Sequence, residues 1–258
     1  MPVIATGEPV RTAMVLFHNR FAAPWVTIPT EGRINVTDPA TWNSWVPNGL
    51  NQNLAYTFPS GRWCDTVCLA SHTLASNGAT VAVRASNDNV NWTTVSTRYT
   101  PTTDEDLIFT FPPFFAQYWV VDFTGGGFSI GVVWGGSRLE FPHPPVDSYT
   151  PLHRARRYTK MFNDSLKGQF LGNRVMAAGA ETEVDLGFVT RNWLEGNISG
   201  FETHYNQGST FFYAGCPALY PRDMGYCRAN GEDAALEIEF TEGRRLATLS
   251  FGVESFVG

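Results

Sequence analysis

Thr80-Val-Ala-Val-Arg-Ala-Ser86 decides the fold class. Its apolar and polar side chains alternate, as they do in a strand with one face on a core, and Asn77-Gly78 supply a turn just before it. Working outward, Tyr118–Phe123 and Phe128–Trp134 are apolar, β-branched and aromatic, and are separated by Gly125-Gly126-Gly127. Further strand signals follow at Thr182–Val189, Gly200–His204, Phe211–Ala214, Leu236–Phe240 and Leu246–Val253. The last two frame the turn Thr241-Glu-Gly-Arg244 as a terminal hairpin. Short strands bounded by Gly, Asn, Asp and Pro predict an all-β sandwich or barrel. No period of 20–50 residues recurs, which excludes a solenoid or propeller.

Composition agrees. Of 258 residues, 43% are hydrophobic, 14% aromatic and 16% charged, the last against about 25% in an average soluble domain. A disordered tail, a coiled coil and a collagen-like rod are excluded, and no apolar run reaches the 18 residues of a membrane span. Net charge is −6, so the chain as a whole is not built to hold nucleic acid. The cations are 16 Arg and two Lys, Lys160 and Lys167. Arg suits planar, partly buried pairs, and this bias suggests a surface partly covered by other subunits. The N-terminal stretch lacks a basic n-region, so no export signal is expected, and the four sequons at Asn35, Asn91, Asn163 and Asn197 read as chance. Cys64, Cys68, Cys216 and Cys227 do not show the tight pairs of common zinc sites. Buried free thiols are the favoured reading, with a disulfide or a metal site (completed by His72 and His204) as alternatives.

Phe141-Pro-His-Pro-Pro145 marks a boundary, because prolines donate no ladder hydrogen bonds. The expected organisation is an N-terminal arm and β-sandwich over 1–140, a Pro-rich linker over 141–151 and a smaller β domain over 152–258. Leu152, Ala155, Tyr158, Phe162 and Leu166 follow 3- and 4-residue spacing, which predicts a helix. That segment also clusters Arg154, Arg156, Arg157 and Lys160. Such a cluster is a solvated face or a contact with an acidic subunit, and is too small for a nucleic-acid footprint.

Catalytic motifs are missing: there is no G-x-S-x-G elbow, P-loop or H-E-x-x-H. Asp104-Glu105-Asp106 reads as an exposed acidic loop, with a calcium site as the sharper alternative. A glycosidase needs two carboxylates at a defined separation, which sequence cannot show. The expectation is a protein that is not an enzyme and carries no cofactor.

Two resemblances sharpen this reading. Ser86, Asp88, Asn89 and Trp92 resemble the S-x-D-G/N-x-x-W turn of discoidin-like (F5/8 type C) jelly rolls. Asp38–Trp42, Leu54–Phe58, Trp63–Leu69 and Phe115–Val121 resemble other strands of that family in the right order, over roughly residues 24–140. Gln117 and Val120 replace the family's late basic residues, a departure from its usual anion or sugar site. Discoidin folds commonly bind sugars or lipid headgroups through loops at one end. The resemblance therefore implies a glycan site at Trp42, Asn43, Trp45 and Asn48, where indole faces stack on sugar rings and amides bond hydroxyls. The bland alternative makes both tryptophans core or interface plugs.

Phe211-Phe-Tyr-Ala-Gly-Cys-Pro-Ala-Leu-Tyr-Pro-Arg-Asp-Met-Gly-Tyr-Cys227 resembles a segment of minor tail and baseplate proteins of tailed (siphovirus-like) phages, a resemblance that covers about residues 141–258. It implies a virion component of the tail tip or baseplate, assembled in the host cytoplasm in several copies around the tail axis. Its expected partners are other tail and baseplate proteins and a host-surface glycan, with no nucleic acid and no membrane insertion. The expected subunit interface is Arg154, Arg156, Arg157, Lys160, Phe211, Phe212, Tyr213 and Tyr220. The alternative function is a free-standing lectin.

Overall fold

The computed structural model describes residues 3–7, 9–23, 33–146, 148–164, 166–231, 233–241, 243 and 245–256. The first residues of the discoidin-like stretch (24–32) and the turn residues Glu242 and Arg244 lie outside them. The chain is all-β, as its sequence predicts, apart from short helical segments.

In chain order the strands are β1 (Val3–Ala5), β2 (Met14–Leu16), β3 (Asn51–His72), β4 (Thr80–Ser86), β5 (Thr93–Tyr99), β6 (Leu107–Thr124), β7 (Ile130–Gly136) and β8 (Leu139–Glu140). They continue with β9 (Arg156–Asp164), β10 (Phe170–Thr190), β11 (Phe211–Ala214), β12 (Met224–Ala229), β13 (Glu237–Phe240) and β14 (Leu246–Phe256). Two helices, α1 (Arg191–Asn197) and α2 (Ser199–Asn206), stand between β10 and β11.

The first sheet runs β5-β4-β6-β3-β7, with β1 added to β6 in parallel. Its two long strands turn a corner together. The β3–β6 pairing breaks between Thr57 and Arg62, across Pro59-Ser-Gly61, and β6 carries Pro112-Pro113 where the register shifts again. Prolines fit there because a corner needs no ladder donor. One half of β3 therefore faces β4 across β6, the other half pairs with β7, and both halves enclose one core. Leu54, Tyr56, Val67, Leu69, Val81, Val83, Phe109, Trp119, Phe123 and Val133 fill it.

The second sheet runs β8-β2-β11-β12-β14-β10-β9, with β13 on β14. Two of its strands come from the N-terminal 140 residues: β2 pairs with β11, and β8 pairs with β2. One face of this sheet packs against the first unit. Cys68, Ala70, Ile108, Val132 and Trp134 from the first sheet meet Met14, Leu16, Phe212, Ala214, Met224 and Tyr226 from the second in one buried cluster. Strand β7 is accordingly buried on both faces, which is why Ile130–Gly136 reads as a continuous apolar run. The other face is covered by α1 and α2 in place of a further sheet. Their residues Leu194, Ile198, Phe201 and Tyr205 form a stripe with 3- and 4-residue spacing, buried with Phe211, Tyr213 and Phe251. Thr190 caps α1 by accepting from the Trp193 N–H at 3.4 Å.

Two sequence expectations are corrected. Gly200–His204 is part of α2, not a strand, because Phe201 and Tyr205 bury on one helical face. The segment expected to be helical from Leu152 is turn and then strand β9, antiparallel to β10. Tyr158 and Phe162, the residues that suggested an apolar helical face, lie exposed, so no burial supports a helix there.

Candidate functional site

A polar cleft of about 580 Å³ opens where the two units meet. The first unit contributes Thr41 and Ser44 from the loop before β3, Ser71 and His72 from the end of β3, Asp104-Glu105-Asp106 and Ser129. The second contributes His153, Arg156, Arg222 and Met224. Ser71 adopts a positive φ of 52° and its Oγ donates to the Thr41 carbonyl at 3.1 Å, which ties the loop to the strand end.

The three carboxylates diverge to separate partners, so they do not converge on a cation. Asp104 accepts from the Ala75 N–H at 2.8 Å and from the Ser76 N–H and hydroxyl. Glu105 holds Arg222 at 2.5 Å and Arg156 at 3.3 Å. Asp106 accepts from the Tyr226 N–H at 2.7 Å. Among the described residues no group of three potential metal ligands occurs. Burial would raise Asp104 and Glu105, but hydrogen bonds from Ser76 to the first and from Arg222 to the second outweigh it and hold both low. Asp106 is pushed up to about 6 by burial. Glu105 and Asp106 thus act as clasps between the units.

Two histidines, His72 and His153, also line the cleft. Burial pushes His72 down to about 4 and lowers His153 as well, so both rings are neutral near pH 7. The His72 Nδ1 accepts from the Leu74 N–H at 3.5 Å, and its Nε2 has no protein partner. The His153 Nδ1 is also without one, and both nitrogens are closed off from solvent. Arg156 and Arg222 share Glu105, the neighbouring Asp104 supplies the second negative charge, and the other polar groups lining the cleft include the hydroxyls of Thr41, Ser44, Thr73 and Ser129. That chemistry suits a neutral, hydroxyl-rich ligand better than an anion.

The expected sugar-binding residues separate. Trp42, between the lining residues Thr41 and Ser44, is 85% exposed. Trp45 is only 6% exposed. Its backbone bridges Ile130, its ring lies near Phe123 and Phe128, and it is a core residue. Asn43 is half-buried and Asn48 exposed.

The expected interface residues separate too. Phe211, Phe212 and Tyr213 are at most 1% exposed, because β11 is central in its sheet and covered on both faces; they are corrected to core residues of this chain. Tyr220 and Arg154 are exposed. Arg156 pairs with Glu105, Arg157 pairs with Glu181, and Lys160 extends from an exposed strand. All four cysteines are free and buried. Sequence reasoning missed His153 and Arg222 as cleft residues; only the acidic triplet signalled the place.

No protein-family model and no curated protein matches the chain. Among solved structures it is similar to a pectin-binding carbohydrate-binding module, at 16% identity and TM-score 0.38 over 46% of this chain and 93% of that one. It is similar to chitosan-binding module 1 of a chitosanase/glucanase from Paenibacillus sp. IK-5, at 24% identity and TM-score 0.36 over 46% and 99%. A third is CpGH89CBM32-6 from Clostridium perfringens, at 12% identity and TM-score 0.38 over 46% and 98%. The all-β class itself rests on the strand pairing described above.

Proposed function

We propose that this chain is a non-catalytic, carbohydrate-binding structural protein that works as part of a larger assembly. The observation that carries the reading is the inter-unit cleft, lined by the hydroxyl residues Thr41, Ser44, Thr73 and Ser129 and bordered by the loop of the exposed Trp42. An indole face and a set of neutral donors and acceptors are what a sugar ring requires. The carboxylates lie in ion pairs and backbone hydrogen bonds, an arrangement that favours binding over hydrolysis. The resemblance of Phe211–Cys227 to phage minor tail proteins supports a place in the tail tip or baseplate of a virion, in several copies that present the cleft to a host surface. Multiple copies would convert weak single-site contacts into avidity.

The test is equilibrium binding of the intact chain to host cell-surface polysaccharide, compared with Trp42→Ala and His153→Ala. Loss of a stacking contact worth about 1 kcal/mol weakens binding roughly fivefold for Trp42→Ala. Equal binding by both variants and the unaltered chain overturns the cleft assignment. Tight glycan binding by a chain that joins no particle would favour a free-standing lectin.

A further inference from the structure

The hairpin β9–β10 leaves its sheet. Among the described residues, the pairing of β14 with β10 runs to Phe256, opposite Gly179, and Tyr158–Asp164 and Phe170–Ala178 pair only with each other. Nine residues of strand reach roughly 30 Å. Among the described residues, both edges of this ribbon are unpaired.

Both faces of the ribbon are exposed, and its apolar side chains gather mainly on one of them, the other carrying Arg157, Thr159, Asn163 and Arg174 around Met161. Tyr158, Phe162 and Val175 lie on one face by register and Met161 on the other, with Phe162 63% exposed, while Phe170 and Leu171 extend the surface toward the tip. Alternation normally buries the apolar face of a ribbon and wets the other, so a ribbon whose apolar face is solvated lacks a cover. The charge of the cover can be read from the chain. Residues 158–178 carry Lys160, Lys167 and Arg174 against Asp164, a net of +2 in a chain of net −6, which leaves −8 on the remainder. None of these three cations has an ion-pair partner among the described residues. The chain also offers a matching surface. Strand β13 pairs with β14 along one edge only, exposes Glu237 and Glu239 with no cation beside them among the described residues, and leaves Phe240 half exposed.

We propose that the β9–β10 ribbon is an assembly arm that docks on the acidic free edge at β13 of a second copy of this chain. Donor and acceptor surfaces differ, so the contact is head-to-tail and builds a ring or a filament, not a closed two-fold dimer. Main-chain pairing at the strand edges supplies attachment, the apolar side chains supply burial, and the opposite charges of arm and edge steer the encounter. The inference rests on the multi-copy part of the proposed function and not on the glycan part.

The test is the mass of the intact chain by sedimentation and light scattering over a range of concentrations. It uses Lys160→Glu/Arg174→Glu, Glu237→Lys/Glu239→Lys and a mixture of the two. All four positions are exposed, and unchanged near-ultraviolet circular dichroism checks that the variants fold. The unaltered chain should associate with concentration and weaken about tenfold in high salt. Each reversed variant alone should associate at least about tenfold more weakly, and the mixture should regain association. Association of both reversed variants at unaltered strength overturns the arm while leaving a multi-copy protein. A strictly monomeric unaltered chain overturns self-docking; if that monomer still binds tail particles, the ribbon serves a different protein and only the arm assignment falls.

Discussion

Asp106→Asn should flatten the pH dependence of stability. Asp106 is half-buried at the junction of the two units, with its carboxyl group enclosed, and it accepts the Tyr226 N–H at 2.7 Å and a backbone hydrogen bond from Ser71. Burial raises its pKa from 3.8 to about 6. A raised folded-state pKa means that the native chain holds a proton which the unfolded chain releases. The stabilisation is therefore complete below the unfolded value and is lost as pH rises through about 6. A shift of about two units corresponds to about 3 kcal/mol, of which about 2 kcal/mol falls between pH 4 and pH 7. Asn cannot ionise and has no such loss. Any hydrogen bond it forfeits is the same at every pH and cancels when slopes are compared. Asp223, also raised to about 6 by burial, has the same sign, and His72, lowered to about 4, has the opposite one; both are present in the two proteins. Urea unfolding at intervals from pH 4 to pH 7 gives both slopes. Stability curves that run parallel for the unaltered chain and the variant would refute the junction reading of Asp106.

The shared core between the units should be as costly to open as any domain interior. Trp134, whose ring centroid lies 5.7 Å from that of Phe212 and 5.8 Å from that of Tyr226, should cost about 3–5 kcal/mol as Trp134→Ala in urea unfolding. A loss below about 1 kcal/mol would contradict the packed interface. The two tryptophans of the 42–45 loop should part company: Trp45→Ala destabilises by about 3–5 kcal/mol, while Trp42→Ala stays within about 0.5 kcal/mol in the same urea unfolding. Equal effects would contradict their opposite burial. Burial pushes the Cys64 thiol up to about 12 and raises Cys68 and Cys227 well above the usual range. A thiol reagent at pH 8 should modify these three only as fast as the chain unfolds, and rapid labelling of the native protein would contradict it.

How far the sequence could be read depended on how each element is covered. Thr80–Ser86 has one face on the core, so alternation and a turn signal located β4 to the residue. Phe211–Tyr213 sits in a central strand covered on both faces, and three consecutive buried aromatics look, in a sequence, like a surface waiting for a partner. Tyr158 and Phe162 are uncovered on this chain, so no burial pattern announced a strand, and their accidental 3- and 4-residue spacing suggested a helix. The stripe Leu194, Ile198, Phe201, Tyr205 was present but crosses a short break between two helices, and read piecewise it yields a strand at Gly200–His204. The cleft was the least legible. Its sides come from residues more than a hundred positions apart, as in Asp106 and Tyr226, and no local pattern brings such pairs together. Within one loop, sequence likewise cannot choose between Trp42 and Trp45; the backbone bridge of Trp45 to Ile130 makes the choice.

The central claim, a structural component of a multi-copy assembly, is most directly tested by recovering the tagged chain from the lysate of its native host and imaging the eluate by negative stain. The account predicts tail-like particles or rings carrying the tag at one fixed position. A homogeneous soluble species with no particle attached would contradict it.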